Sequence, residues 1–311
     1  MQIVYVGNFR PAHSTENHVA DSLEDLNHEV FRVQEDDLNR DGLLRDIANH
    51  EAELLLWTRT WSGHLTQSIL DDVKAAGIKT VSFHLDLYVP ISRVNDIPSD
   101  PFWRTDHVFT PDGSPQAAEY FTAQAINHHY LKPGVFKQEC VKGRERPDLA
   151  ADIAFIGTCR GYHPEWPYRE QLVDWLKENY GAWVKFYGNP YRTVRNQELN
   201  DVLASTKIII GDSLNPGFNY PGYWSDRVYE TTGRGGFIIH PRIEGMEQEF
   251  IENKEIAFYN YGDWAHLKEL IDWYLEHDMY RYEVQMAGMQ RTKAEHTYNN
   301  RMQELLDVIA A

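Results

Sequence analysis

Cysteine is scarce: Cys140 and Cys159 are the only two in 311 residues. With no Cys-x-x-Cys pair and no Cys/His cluster at ligand spacing, a disulfide framework and a structural zinc site are both excluded. No apolar run approaches the ~20 residues that cross a bilayer, so membrane insertion is not expected. The opening Met1-Gln-Ile-Val-Tyr-Val-Gly-Asn8 lacks the basic flank and long apolar core of a signal peptide. It reads as a strand, and the cytoplasm is the expected location. Positive charge is short as well. The 30 Lys and Arg face 47 Asp and Glu, for a net charge of −17. Such a chain repels a polyanion over most of its surface, which disfavours duplex DNA as a partner. A local basic groove stays open, because bases cluster from Lys137 to Arg146. Walker A and nucleophile-elbow motifs are missing. So is an Asp-x-Asp at a strand end; Glu35-Asp36-Asp37 reads as a solvated turn. The expectation is therefore no metal and no resident cofactor.

What is present is aromatic and alternating. Aromatics make up 13% of the chain, with 9 Trp and 18 Tyr, which suits an aromatic-lined cleft or a Trp-heavy core. Short apolar runs end in glycine or polar residues and alternate with helical patterns. Residues 2–6, 29–33, 54–57, 80–85 and 107–110 read as strands. Residues 15–26, 43–49, 65–76 and 116–125 read as helices, the first capped by Ser14 or Thr15. Lys132 to Ala150, with Pro, Gly and clustered bases, reads as a linker. The alternation resumes with strands at 152–156, 184–187, 207–210 and 236–240. Its helices are 167–180, 197–205, 226–234, 263–277 and about 280–309. Strands joined by single helices imply parallel β-α-β units. The expected fold is α/β, two Rossmann-like doubly wound domains facing across a cleft. The domains are 1–131 and 151–292, with a final helix, 293–311, returning to the first. That helix carries Met302, Leu305, Leu306 and Ile309 at helical spacing and needs a surface to cover.

In open α/β sheets ligands lie beyond the carboxyl ends of the strands. The strongest candidate there is Ser225-Asp-Arg-Val-Tyr-Glu-Thr-Thr-Gly-Arg-Gly-Gly-Phe-Ile-Ile-His240. A helix start with Ser225 and Arg227 suits a phosphate, and Glu230, one turn on, can accept ribose hydroxyls. An Arg–Glu surface pair is the structural alternative.

The segments SDRVYETTGRGGFIIH, GMEQEFIENKEIAFYNYGDWAHLKELIDWYL and AEHTYNNRMQELL resemble the group 1 glycosyltransferases, especially their spore-maturation (CgeB-like) branch. The likeness is strong in the C-terminal third and holds only in outline elsewhere. It implies the GT-B fold, with a nucleotide-sugar donor, most simply a UDP-sugar, on the second domain and the acceptor on the first. Many members carry two glutamates eight positions apart. Here Gly222 stands in the first position and Glu230 in the second. The sugar then falls to the glycines and aromatics of the loop 215–225, Tyr223 among them. Gly157 and Arg160, after a strand, are the positions that face donor phosphates in the family. Tyr187, at the next strand end, is a candidate for the base. On the first domain, Asn8 and His13 border the acceptor. His84 and Asp86 alternate onto one face at a strand end, where either could serve as general base.

The expected activity is metal-independent transfer of a hexosyl or pentosyl group to a hydroxyl. A modified DNA base and a small molecule are both open as acceptor. A nucleotide-sugar epimerase and a non-catalytic nucleotide-sugar binding protein are the alternatives; turnover with an acceptor separates them from a transferase.

Overall fold

The computed structural model describes residues 1–61 and 63–311. The chain divides into two compact units, Met1–Pro133 with Tyr298–Ala311, and Gly134–Thr297.

Unit 1 is a six-stranded parallel sheet. Its strands are β1 (Gln2–Gly7), β2 (Glu29–Gln34), β3 (Leu54–Trp57), β4 (Lys79–Phe83), β5 (His107–Thr110) and β6 (His128–Tyr130), in the order β2-β1-β3-β4-β5-β6. The connecting helices are α1 (Thr15–Asp25), α2 (Arg40–Asn49), α3 (Gln67–Ala75) and α4 (Pro115–Ala123). Central strands are buried on both faces, so they read as unbroken apolar runs such as Leu54-Leu-Leu-Trp57. Helix starts follow the capping rule: Ser14, Asn39, Thr66 and Ser114 each accept a backbone N–H from the first turn. The β6 strand has no place in the sequence reading, since His-His-Tyr offers no apolar run. It forms because β5 presents an open edge, with Val108 opposite His128.

Unit 2 repeats the plan with five strands, β7 (Ala151–Ile156), β8 (Val184–Tyr187), β9 (Thr206–Ile210), β10 (Ile238–Pro241) and β11 (Ala257–Tyr259), ordered β11-β10-β9-β7-β8. The helices are α5 (Tyr168–Tyr180), α6 (Asn196–Ser205), α7 (Arg227–Gly233), α8 (Trp264–Glu276) and α9 (Asp278–Glu295). The stretch read as a linker is an ordered arm along α6. Arg144 N donates to Asp201 Oδ1 at 2.9 Å and Arg146 N to Ser205 Oγ at 2.8 Å. Asn200 Nδ2 donates to the carbonyls of Glu139 and Val141. Gly143 permits this approach, because a Cβ there would lie 2.2 Å from the Asn200 carbonyl.

The helical stretch read from about 280 to 309 is two helices, and the final one, read as starting at 293, starts at Tyr298. The chain leaves the helical path at His296 and Thr297, where Val135 N donates to the His296 carbonyl at 3.0 Å and Thr297 bridges to Val135. Helix α10 (Tyr298–Ala310) belongs to unit 1 and packs on α1. Met302, Leu305, Leu306 and Ile309 are all buried there, each contributing about 1.5–3 kcal/mol. Arg301 Nε fixes the start of the helix to the Pro133 carbonyl at 3.0 Å.

Candidate functional site

Strand order reverses beside β7 in unit 2, which puts the crevice at the carboxyl ends of β7 and β9. After β9 the chain runs Gly211-Asp212-Ser213. Asp212 is fully buried and accepts from Arg169 Nε at 2.7 Å and Trp166 Nε1 at 3.0 Å. Burial raises its pKa, and the Arg169 charge opposes that shift. The Arg169 guanidinium in turn lies 3.4 Å from the centroid of the Tyr162 ring.

Ser213 ties three elements together. Its Oγ accepts from Ser225 N at 2.9 Å and meets His240 Nε2 at 3.0 Å. His240 Nδ1 contacts the Pro241 carbonyl at 2.7 Å. A carbonyl only accepts, so the neutral ring carries its proton on Nδ1, and Ser213 donates to Nε2. Burial pushes the His240 pKa down to about 4 and keeps the ring in that form. Gly211 makes room, since a Cβ there would meet His240 Cδ2 at 2.5 Å. The start of α7 is thereby anchored to the ends of β9 and β10.

On α7, Arg227 Nη1 is buried and lies 3.1 Å from Glu230 Oε2 without the alignment of a hydrogen bond. Glu230 Oε1 is also 4.0 Å from Arg234 Nη2. Arg234 is buried and held by Glu139 and by Asn200 Oδ1, the latter at 2.7 Å. The Arg227–Glu230 pair is thus set in a frame of fixed charges while remaining partly accessible. Beside it, Asn215 closes the loop after β9 by bonding Tyr220 through both its amide atoms, at 2.8 and 2.9 Å. Trp224 Nε1 donates to Tyr229 Oη at 2.9 Å, and Tyr229 donates to Glu249 Oε2 at 3.1 Å.

In unit 1 the reversal lies beside β1, so the crevice is between the ends of β1 and β3. Two carboxylates fill it. Glu16 lies against Gly7, where a Cβ would meet Glu16 Cγ at 2.7 Å, and accepts from Thr60 Oγ1 at 3.0 Å. Burial raises its pKa. Glu35 is fully buried and accepts from Trp57 Nε1, Thr60 N and Trp61 N at 3.0, 2.9 and 3.0 Å. Glu35 is therefore not part of a solvated turn; three donors offset its desolvation.

At the end of β4, His84 is buried. Its Nδ1 accepts from Asp86 N at 3.0 Å, and its Nε2 lies 3.3 Å from Tyr88 Oη. The proton therefore sits on Nε2. Burial lowers the pKa to about 4, with Asp86 opposing and Arg59 and Arg93 reinforcing the shift. Tyr88 also accepts from Arg59 Nη2 at 2.9 Å, and Arg59 pairs with Asp100. Asp86 is exposed and pairs with Arg93 at 2.9 Å.

A family model described as "Glycosyl transferase-like" matches residues 169–307. No curated protein sequence matches the chain. Among solved structures, an alpha-glucosyltransferase in complex with UDP-glucose and DNA containing an abasic site is similar at a TM-score of 0.71 and 10% identity. That match covers 100% of this chain and 99% of the other. HepE of Anabaena in complex with UDP-glucose gives 0.64 and 10%, covering 100% and 99%. Sucrose-phosphate synthase from Thermosynechococcus elongatus gives 0.63 and 10%, covering 99% of each.

The fold is GT-B.

Within the GT-B frame, Ser225, Arg227 and Glu230 come together at the start of α7. Gly157 directly follows β7, and Gly188 after β8 lies against its carbonyl, where a Cβ would be 2.2 Å away. Arg160 pairs with Asp174 and, at 3.4 Å, with Glu170 of α5. Tyr187 and Tyr223 are buried, Tyr187 in the core of unit 2. Asn8 meets Gln34 Nε2 at 3.3 Å, and His13 is exposed. Sequence reasoning missed Asp212 with Arg169, Ser213 with His240, and Glu16 with Thr60. Each pair joins positions far apart in the chain. The one available signal was a polar residue within three positions of the end of a buried strand, which Asp212 and Thr60 both are. Among the described residues, no group of three or more His, Cys, Asp or Glu is placed to hold a metal ion, and no helix is long and apolar enough to cross a membrane.

Proposed function

We propose that this chain is a glycosyltransferase that moves a hexosyl or pentosyl group from a UDP-sugar to a hydroxyl acceptor without a metal ion. The observation that carries this is the Arg227–Glu230 pair at the start of α7, inside the segment that matches the transferase family. UDP-bound relatives of the same fold support uridine as the base. Arg227 supplies a charge-assisted bond to the diphosphate, and its buried Nη1 keeps a donor not yet spent on a hydrogen bond. That charge stabilises the leaving diphosphate as the glycosidic bond breaks. Glu230 accepts the ribose hydroxyls, held in place by Arg227 and Arg234. The chain Ser225–Ser213–His240 fixes where α7 begins, and the loop 215–225, Tyr223 among it, receives the sugar.

Of the His84–Asp86 pair on unit 1, Asp86 is the accessible group and serves as the general base toward the acceptor hydroxyl. His84 has both ring nitrogens committed and positions Asp86 through its backbone N–H. Gly157 and Arg160 flank the phosphates in this proposal, and Asn8 and His13 the acceptor.

Isothermal calorimetry with UDP tests the reading. Arg227→Ala should weaken binding about 10- to 100-fold, the loss of a charge-assisted bond or two. Glu230→Gln should weaken uridine binding about 10-fold with the fold intact. Unchanged affinity in both variants would remove α7 from the site. Turnover should persist in EDTA; its loss and rescue by magnesium or manganese would overturn the metal-independent reading.

A further inference from the structure

We infer that the acceptor is an uncharged, polyhydroxylated molecule, a carbohydrate, bound at the carboxyl edge of β3 in unit 1, and that it is not a nucleic acid. The inference deepens the transferase reading and rests on it for the word acceptor. The site itself stands on separate observations.

A cleft of about 740 Å³ opens between the end of β3 and the turns that follow β4. Its polar lining includes Arg59, Thr60, Thr66, Gln67, Asp96 and Asp100. The cation among the described lining residues is Arg59, which is already neutralised by Asp100 and bonded to Tyr88. Hydroxyl, amide and carboxylate groups form the remaining polar lining. That set gives and accepts hydrogen bonds with alcohols. A phosphate can use hydroxyls and amides too, but its recognition rests on Lys and Arg charge. Here the cation among the described lining residues is already paired, while Asp96 and Asp100 add negative charge.

The strand ends around this edge add to the same field. Glu16 and Glu35 occupy the crevice beside β1, where a doubly wound sheet would otherwise receive a phosphate. Both reach the same loop as the cleft, through Thr60. Across unit 1 as a whole, 22 acidic residues face 11 basic ones, for −11 of the chain's −17. Nucleic-acid affinity comes largely from phosphate neutralisation and counterion release, and a unit with this balance has the opposite sign. Stacking does not decide the matter. Trp61, one residue beyond Thr60, is 37% exposed, and its ring serves a pyranose face as well as a base. The charge does decide it. A structure of similar fold holds DNA, so the shared architecture leaves the acceptor class to these side chains.

The test uses the full chain and two exposed positions of the cleft, Asp96→Asn and Gln67→Ala. Saturation-transfer NMR without donor is run with neutral disaccharides (maltose, cellobiose, lactose). A duplex carrying 5-hydroxymethyluracil is run in parallel at about 50 mM salt, where nonspecific attraction would be strongest. At least one disaccharide should give a response that weakens about fivefold or more in each variant, as expected for one lost hydrogen bond. The duplex should give none. With UDP-glucose added, the variants should raise the KM for that sugar and leave UDP affinity unchanged. Binding or glucosylation of the duplex overturns the inference. So does the lack of any saccharide response, or a response indifferent to both substitutions. Failure of the transferase reading is distinct, since it appears as the loss of UDP binding whatever the saccharide does.

Discussion

Unit 1 and unit 2 each reverse strand order once, beside β1 and beside β7, and the two crevices are furnished differently. In unit 1 the chain fills the crevice itself with Glu16 and Glu35, both buried against backbone and hydroxyl donors. In unit 2 the buried carboxylate that follows β9, Asp212, is matched by Arg169, and further arginines sit on α7 and after β7. In the function proposed, the same topology refuses an anion in one unit and receives one in the other. Topology places a crevice; the charge of a few side chains decides what enters it.

The largest effect separating the two comes from removing the buried acids. Asp212→Ala strands the Arg169 guanidinium in the interior of unit 2 and should cost about 3–5 kcal/mol. Glu16→Gln in unit 1 keeps the acceptor for Thr60 and removes a carboxylate that burial already disfavours. It should change stability by less than about 1 kcal/mol, in either direction. Urea midpoints of the two variants check the contrast, and equal losses would contradict it.

Acid should expose the next difference. Burial holds His84, His128 and His240 at about 4, against 6.5 for the free side chain. Between these values the unfolded chain binds more protons, so stability rises with pH across that window. The contribution is complete above 6.5 and is lost as pH falls toward 4, at about 1.4 kcal/mol per unit for each histidine. Two of the three are in unit 1, so unit 1 should melt first on acidification. Separate calorimetric transitions at pH 7 and pH 5 would show it, and His84→Gln or His128→Gln should flatten that unit's pH dependence. Unit 2 losing stability faster would break the comparison.

Much of this architecture is legible in the sequence, and the reasons are local. Leu54-Leu-Leu-Trp57 has the apolar continuity of a strand buried on both faces, and Ser14 caps α1 as the pattern foretells. Arg227 and Glu230 are found because they lie three apart on one helix. The remainder depends on contacts no spacing encodes. Arg169 and Asp212 are 43 residues apart, and Glu35 and Trp57 are 22 apart. Glu35 followed by two more acids reads as solvated until the fold brings three N–H groups to it. Likewise, the 132–150 stretch has the composition of a linker. Only the packing of Gly143 on Asn200 shows that it is held.

The smallest expected effect is at Arg160, and it is the finest test of the contrast. Its guanidinium is 35% exposed and shared between Asp174 and Glu170, which are more exposed still. Such surface pairs contribute about 0–1 kcal/mol, so Arg160→Ala should leave the melting temperature almost unmoved. The two carboxylates hold the side chain against α5. A diphosphate would have to draw it away, and the pairs broken would cancel most of what the new contact gains. We therefore expect UDP affinity to fall only about threefold, well short of the loss at Arg227. Asp174→Asn should do the reverse, releasing Arg160 and tightening UDP binding slightly. If both substitutions leave the calorimetric affinity at the wild-type value, Arg160 is a surface pair and the anion-receiving edge of unit 2 reduces to α7. A fall as large as that of Arg227→Ala would instead mean that the loop after β7 carries the diphosphate jointly with α7, and that the acidic partners on α5 give way freely.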